Sequence, residues 1–164
     1  MLKPASPEYL ESTHAYASDP ENTRYMVHLP NRSLDETRDF LTEAARQWAG
    51  DAPEDYEFMI LLNGVHIGGV NLFLTGEPRT AELGWILAKA YWGHGYAAEA
   101  ARGLMDWAAR RWGIRRFIAQ CDAENVASRR VMEKLGMRLI DRSDGRKNRS
   151  SDEERTELTY ELIL

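Results

Sequence analysis

The chain has 164 residues, 43% of them hydrophobic and 29% charged, with a net charge of −5. That is enough chain for one sizeable core, in a single domain over residues 1–164. The negative balance argues against general nucleic-acid binding, and the longest apolar stretch near a turn, Phe58 to Leu62, is far too short to cross a bilayer. Cys121 is the only cysteine, so an internal disulfide and a cysteine-based zinc site are excluded, and no metal is expected. The N-terminus lacks the basic and apolar regions of an export signal, so a cytoplasmic setting is expected.

In chain order, residues 7–29 read as helical, broken near Asp19-Pro20. Ser33-Leu34-Asp35-Glu36 is a capping box that starts a second helix, which runs to about Trp48 and is stopped by Gly50. Asn63-Gly64 between Tyr56–Leu62 and Val65–Leu74 is a strong hairpin signal. The turn Thr75-Gly76-Glu77-Pro78 leads to a third strand, Thr80–Leu87, and the three strands should form an antiparallel meander. A loop from Ala88 to His94 opens a long helix, about Gly95–Trp112, with an apolar stripe through Ala97, Ala101, Leu104, Ala108 and Trp112. A strand, Arg116–Cys121, precedes a helix, Asn125–Leu135, which Gly136 ends. A strand Met137–Asp141, a polar loop and a strand Thr156–Ile163 complete the chain. The order predicts one mixed α/β domain with a mostly antiparallel sheet of about six to seven strands flanked by helices.

Charge is uneven along the chain. Residues 1–80 hold six Lys/Arg against thirteen Asp/Glu, and residues 81–164 hold fifteen against thirteen. Solvated helix faces explain much of such a split. It also suits a second half that meets an anionic ligand and a first half that meets a cationic one.

The turn Trp92-Gly93-His94-Gly95-Tyr96-Ala97 stands between a strand and a helix. Glycines there let successive N–H groups point into one concavity, and the helix N-terminus adds free donors and a positive dipole end. Such a turn suits a phosphate or pyrophosphate, although strand-to-helix turns also use glycine for steric reasons alone. It is not a P-loop, because Tyr96-Ala97 stand where Lys-Ser/Thr would be. The third glycine of a dinucleotide fingerprint falls on Ala98.

The segment ELGWILAKAYWGHGYAAEA, followed by DAENVASRRVMEKLGM, resembles the GNAT superfamily of N-acetyltransferases. Within it the likeness is to the RimJ/RimL-like branch, with its W-G-x-G-Y-A and downstream N-x-x-S. The resemblance covers roughly residues 56–142; residues 1–50 match less well and lack the usual early basic strand. It implies the GNAT fold and acetyl-CoA as donor. It also implies that Gly93, His94, Gly95, Tyr96, Ala97 and Ala98 bind pyrophosphate through the main chain, with Trp92 at the head of the turn. Trp85, Ile86 and Leu87 would pair with the pantetheine amides, Asn125 would bond the pantetheine arm, and Ser128 would lie near the thioester sulfur. Met132 stands where many members carry a tyrosine acid, which moves Ser128 into that role or leaves it to water.

Amine acetylation needs a neutral amine. Neutralising a lysine at pH 7 costs roughly 4–5 kcal/mol and an α-amino group about 1 kcal/mol, so one carboxylate acting through water is a sufficient base. Glu82, sharing a strand face with Gly84 and Ile86, is the candidate, against the plainer reading of a solvated strand carboxylate. His66 and His94 read as structural or solvent-facing, and Cys121, Trp107 and Trp112 as core. His14 and His28 lie in the acidic half, where an acceptor would dock. Arg129 and Arg130 are either solvated or near the 3′-phosphate. The expected partner is a primary amine, either a small molecule or a protein N-terminus. It should enter between residues 10–33 and 143–153, drawn by acids such as Glu21, Asp35 and Asp39. The chain is expected to be a monomer or homodimer that binds neither nucleic acid nor membrane. The competing reading is a catalytically weak CoA-binding module of the same fold.

Overall fold

A computed structural model describes residues 1–51 and 53–164. Among them are β1 (Leu2–Pro4), α1 (Leu10–Ala17), α2 (Leu34–Ala49), β2 (Asp55–Leu62), β3 (Val65–Leu74) and β4 (Thr80–Leu87). They are followed by α3 (Tyr96–Trp112), β5 (Arg116–Asp122), α4 (Val126–Leu135), β6 (Arg138–Lys147) and β7 (Glu154–Ile163). The strands form a seven-stranded sheet in the order β1-β2-β3-β4-β5-β7-β6. Every neighbouring pair is antiparallel except β4 and β5.

Alternation along the strands gives the sheet two apolar faces. Phe58, Val70, Leu72, Leu83 and Phe117 pack with Ala101, Leu104 and Ala108 of α3 and Met132 of α4 in the larger core. Met59 and Leu61 point the other way and pack with Leu41 and Ala44 of α2 and with Ala5. The sheet is therefore sandwiched, with α3 and α4 on one side and α1 and α2 on the other. α2 begins as its capping signal requires, Ser33 Oγ accepting from the Glu36 amide at 3.2 Å. The return bond goes to Arg32 N at 2.8 Å, one residue earlier than a standard capping box would place it.

Three expectations are corrected. The helical reading of residues 7–29 holds only up to its expected break near Asp19-Pro20, and the part after the break is not helical. Pro7–Tyr9 form one 3-10 turn, α1 ends at Ala17, and residues 20–25 are turns. Asp19 ends the helical run, because its side chain accepts from the Glu21 amide at 2.8 Å and offers the main chain a local alternative. The polar stretch after Asp141 is not a loop but the continuation of β6 to Lys147, paired with β7 along its length with two register shifts. Its polarity is that of a charged edge strand, which resists further pairing. The short edge strand β1, paired through Leu2↔Ile60, was not expected.

Candidate active site

The site begins where the sheet comes apart. β4 and β5 are paired only through Thr80↔Arg116, Ala81↔Phe117 and Glu82↔Ile118, while β3 follows β4 all the way to Leu87. Leu83 to Leu87 therefore have a partner on one edge and none on the β5 edge. In a strand half of the N–H and C=O groups point to each edge, so this stretch presents unspent hydrogen-bonding groups to the gap. Trp85, Ile86 and Leu87, which the resemblance assigns to the pantetheine, all lie in it.

The glycine turn stands at the mouth of the gap. Gly93 and Gly95 have φ of 80° and 86°, where a side chain is strained. Gly95 is the N-cap of α3 and offers no side chain to the amides of the first turn, so those donors are open to a ligand. The Trp92 indole folds back and donates Nε1–H to the Leu87 carbonyl at 2.8 Å, fixing the turn to the end of β4. His94 stacks on Tyr96 with ring planes 11° apart. Ala97 and Ala98 are buried.

On the other side of the gap, Asn125 caps α4, its Oδ1 accepting from the Ser128 amide at 3.0 Å. The two Nδ2 donors and the second lone pair of Oδ1 remain for a ligand. Ser128 is partly exposed, whereas Met132 is fully buried in the larger core.

Glu82 sits at the vertex of the split, in the last β4–β5 pair. Burial pushes its carboxyl above the ordinary range, and the charge of Glu157 adds to the effect. Glu157 escaped the sequence reading. It lies on β7 beyond β5 and is held by Arg146 at 2.6 Å. Two further carboxyls lie on the same sheet face. Asp55 is raised by burial and accepts from Asn71 Nδ2 at 3.2 Å. Glu57 is pushed up to about 8 by burial and by Asp55. Of the acids singled out earlier, Glu21 pairs with Lys89, and Asp35 pairs with Arg38 on exposed helix surface.

The chain segment after α1 is gripped by the β6–β7 hairpin through its main-chain carbonyls. Arg146 Nη2 donates to Tyr25 O at 3.0 Å, the Arg149 amide to Met26 O at 3.0 Å and Arg149 Nη1 to His28 O at 3.0 Å. The grip is anchored at Asp122, 1% exposed at the end of β5. Its carboxylate accepts from Asn148 Nδ2 at 2.7 Å, from Arg155 Nε at 3.0 Å and from the Glu124 amide at 2.8 Å. Burial alone would raise this carboxyl, but these bonds outweigh it and hold it below the usual carboxylate range.

Five of the other residues singled out in the sequence make structural contacts. His14 braces α1 to α2 through Thr37 at 2.8 Å, and His66 bonds Ser12 at 2.7 Å and the Gly68 carbonyl at 2.9 Å. Trp107 and Trp112 belong to an aromatic cluster with Trp48, Tyr56 and Phe58. Cys121 is buried, its thiol pushed up to about 11 by burial, so it makes a poor nucleophile.

The sheet is mixed and splits at its parallel β4–β5 pair, with a glycine turn and a helix N-terminus at the mouth of the split. The chain belongs to the GNAT acetyltransferases, its residues 1–138 matching the family described as Acetyltransferase (GNAT) domain.

It is 34% identical over 89 residues to the Uncharacterized N-acetyltransferase YnaD of Bacillus subtilis (strain 168). That match covers 54% of this chain and about half (52%) of YnaD. Among solved structures it is similar to RimL, a ribosomal L7/L12 alpha-N-protein acetyltransferase in complex with coenzyme A. There the TM-score is 0.85 at 20% identity, over 99% of this chain and 93% of that one. It is similar also to spermidine N-acetyltransferase from Vibrio cholerae in complex with CoA and spermine, with a TM-score of 0.84 at 16% identity over 99% and 94% of the two chains. At such identities these two likenesses concern the fold.

Proposed function

We propose that this chain transfers the acetyl group of acetyl-CoA to a primary amine by direct attack, with donor and acceptor held together. The observation that carries the reading is the split of β4 from β5 immediately after Glu82, with the glycine turn at its mouth. The free edge of Leu83–Leu87 suits the amides of a pantetheine arm, and the turn suits a pyrophosphate. Both solved structures named above hold CoA, which supports the same donor here.

Glu82 is the proposed base. A carboxyl raised by burial takes a proton from an ammonium more readily than an ordinary one. The neutral amine then attacks the acetyl carbonyl; the C–N bond forms, the C–S bond breaks, and the proton that the nitrogen sheds on becoming an amide passes through Ser128 or water to the departing thiolate, while the proton on Glu82 leaves to solvent. Met132 is buried and has no proton to give. The acceptor approaches from the α1/α2 face, along the wall that segment 24–28 and the β6–β7 hairpin form together, where the Glu82 and Asp55 carboxyls favour a cation. The acceptor class is a protein N-terminus, as for RimL, or a small amine, as for the spermidine N-acetyltransferase.

The test is release of CoA thiol from acetyl-CoA with N-terminal peptides and small amines, alongside calorimetric CoA binding. Transfer is expected with at least one acceptor. Glu82→Gln should lower kcat/KM by about 10²–10³-fold, should remove the acid limb of its pH profile, and should leave CoA affinity in place. CoA binding without turnover on either class would favour the weakly catalytic CoA-binding module, and no CoA binding would sink both readings.

A further inference from the structure

We propose that Lys134 is a donor-binding residue whose ammonium closes over the glycine turn and contacts the pyrophosphate of CoA. The proposal rests on the donor reading above and adds a side chain to a site otherwise made of main chain. Lys134 lies in the last turn of α4, 39 positions beyond the turn in sequence. In space its Nζ stands 3.4 Å from where a Cβ on Gly95 would be. The end of α4 is held there, because Arg102 of α3 donates Nη2 to the Lys134 carbonyl at 2.8 Å. No carboxylate pairs with the Lys134 ammonium among the described residues.

The plainer role of such a lysine is to favour the C-terminal dipole of its own helix. That does not explain why its ammonium stands against the N-cap of another helix. There it meets the positive end of α3, an unfavourable pairing in the free protein. An anion between the two reverses the sign, since it is attracted by the ammonium and by the open amides at once. Gly95 then has two reasons to lack a side chain: its positive φ, and the room it leaves between ammonium and main chain.

The test is calorimetric binding of CoA, 3′-dephospho-CoA and pantetheine to the full chain and to its Lys134→Gln and Lys134→Arg variants. Lys134→Gln should weaken CoA and dephospho-CoA alike, by about tenfold, as loss of one charge-assisted contact does. Lys134→Arg should recover most of the loss, and pantetheine should bind all three proteins equally. Loss for CoA but not for dephospho-CoA would move the contact to the 3′-phosphate and overturn the proposal. So would unchanged CoA affinity, or an equal loss with pantetheine. Lys134 is exposed, so folding is expected to survive; should Lys134→Gln unfold, Lys134→Ala takes its place, and unchanged CoA affinity there overturns the proposal. A wild-type chain that binds no CoA refutes the donor reading itself, a result distinct from wild-type binding that Lys134→Gln leaves untouched.

Discussion

The two sides of the split are built by opposite means. The α3 side is main chain: a free strand edge, a turn with two positive-φ glycines and the first amides of a helix. The α1/α2 side is side chains: Glu82, Glu57 and Asp55 on the sheet, with a wall of arginine-to-carbonyl bonds rooted at Asp122. A main-chain site depends on backbone shape and tolerates changes among its side chains. A side-chain site depends on which residues distant segments bring together. If the division holds, damage to one side should leave the other side's ligand largely unaffected.

The largest effect is expected from Asp122→Ala. It removes the acceptor of four hydrogen bonds and leaves Asn148, 4% exposed, without its partner. Breaking a buried, hydrogen-bonded charge pair costs about 3–5 kcal/mol. Denaturant unfolding should report a loss of that order. In protein kept folded at low temperature, the acceptor KM should rise while CoA affinity changes little. Equal weakening of both ligands would show that the two sides are mechanically one.

Gly95→Ala is the counterpart on the donor side. A non-glycine residue in the left-handed region costs roughly 1–2 kcal/mol, and the new methyl would enter the space below the Lys134 ammonium. CoA affinity should fall by about 10- to 30-fold by calorimetry, with the acceptor KM unchanged. A shift in acceptor KM as large as the shift in CoA affinity would break the comparison from this side.

The same division explains what was legible in the sequence. The glycine turn, the hairpin at Asn63-Gly64, the caps at Ser33 and Gly136 and most strands were readable, because each is a local demand of the backbone on residue type. The face of the sheet on which Glu82 lies was readable by alternation along one strand. Lys134 and Glu157 were not, because their relevance depends on strand order and on α4 returning to the start of α3, and neither leaves a local pattern. The acids Glu21 and Asp35 drew attention through the charge count of the first half. That count does not register that each is met by a cation, Lys89 and Arg38. β6 was missed past Asp141 because an edge strand and a loop share a polar composition, and only pairing with β7 separates them.

The smallest expected effect belongs to Glu57→Gln, and it sharpens the comparison by asking what the acidic face costs. Glu57 lies on the face of Glu82, with Asp55 beside it, and its carboxyl is raised to about 8 by burial and by that neighbour. An unfolded glutamate titrates near its ordinary value of 4.5. Below that value the side chain is protonated in both states and contributes no pH dependence. As pH rises from there towards 8, the unfolded chain releases the proton and the folded chain keeps it, so folding stability falls. Glutamine keeps the shape and cannot ionise. Wild type and variant should therefore unfold at the same denaturant concentration near pH 4, and the variant should gain progressively up to pH 8–9; a shift from 4.5 to about 8 would carry roughly 5 kcal/mol in full, and because Glu57 keeps part of its surface in solvent the expected gain is about 1–2 kcal/mol. Stability curves that run parallel from pH 4 to 9 would remove Glu57 from the face's electrostatics. If the gain appears and the acceptor KM above pH 8, where folded Glu57 is ionised, also rises in the variant, the stability lost at Glu57 is tied to attraction of a cationic acceptor. If the gain appears with KM unchanged, the acceptor side reduces to Glu82 and the wall around it.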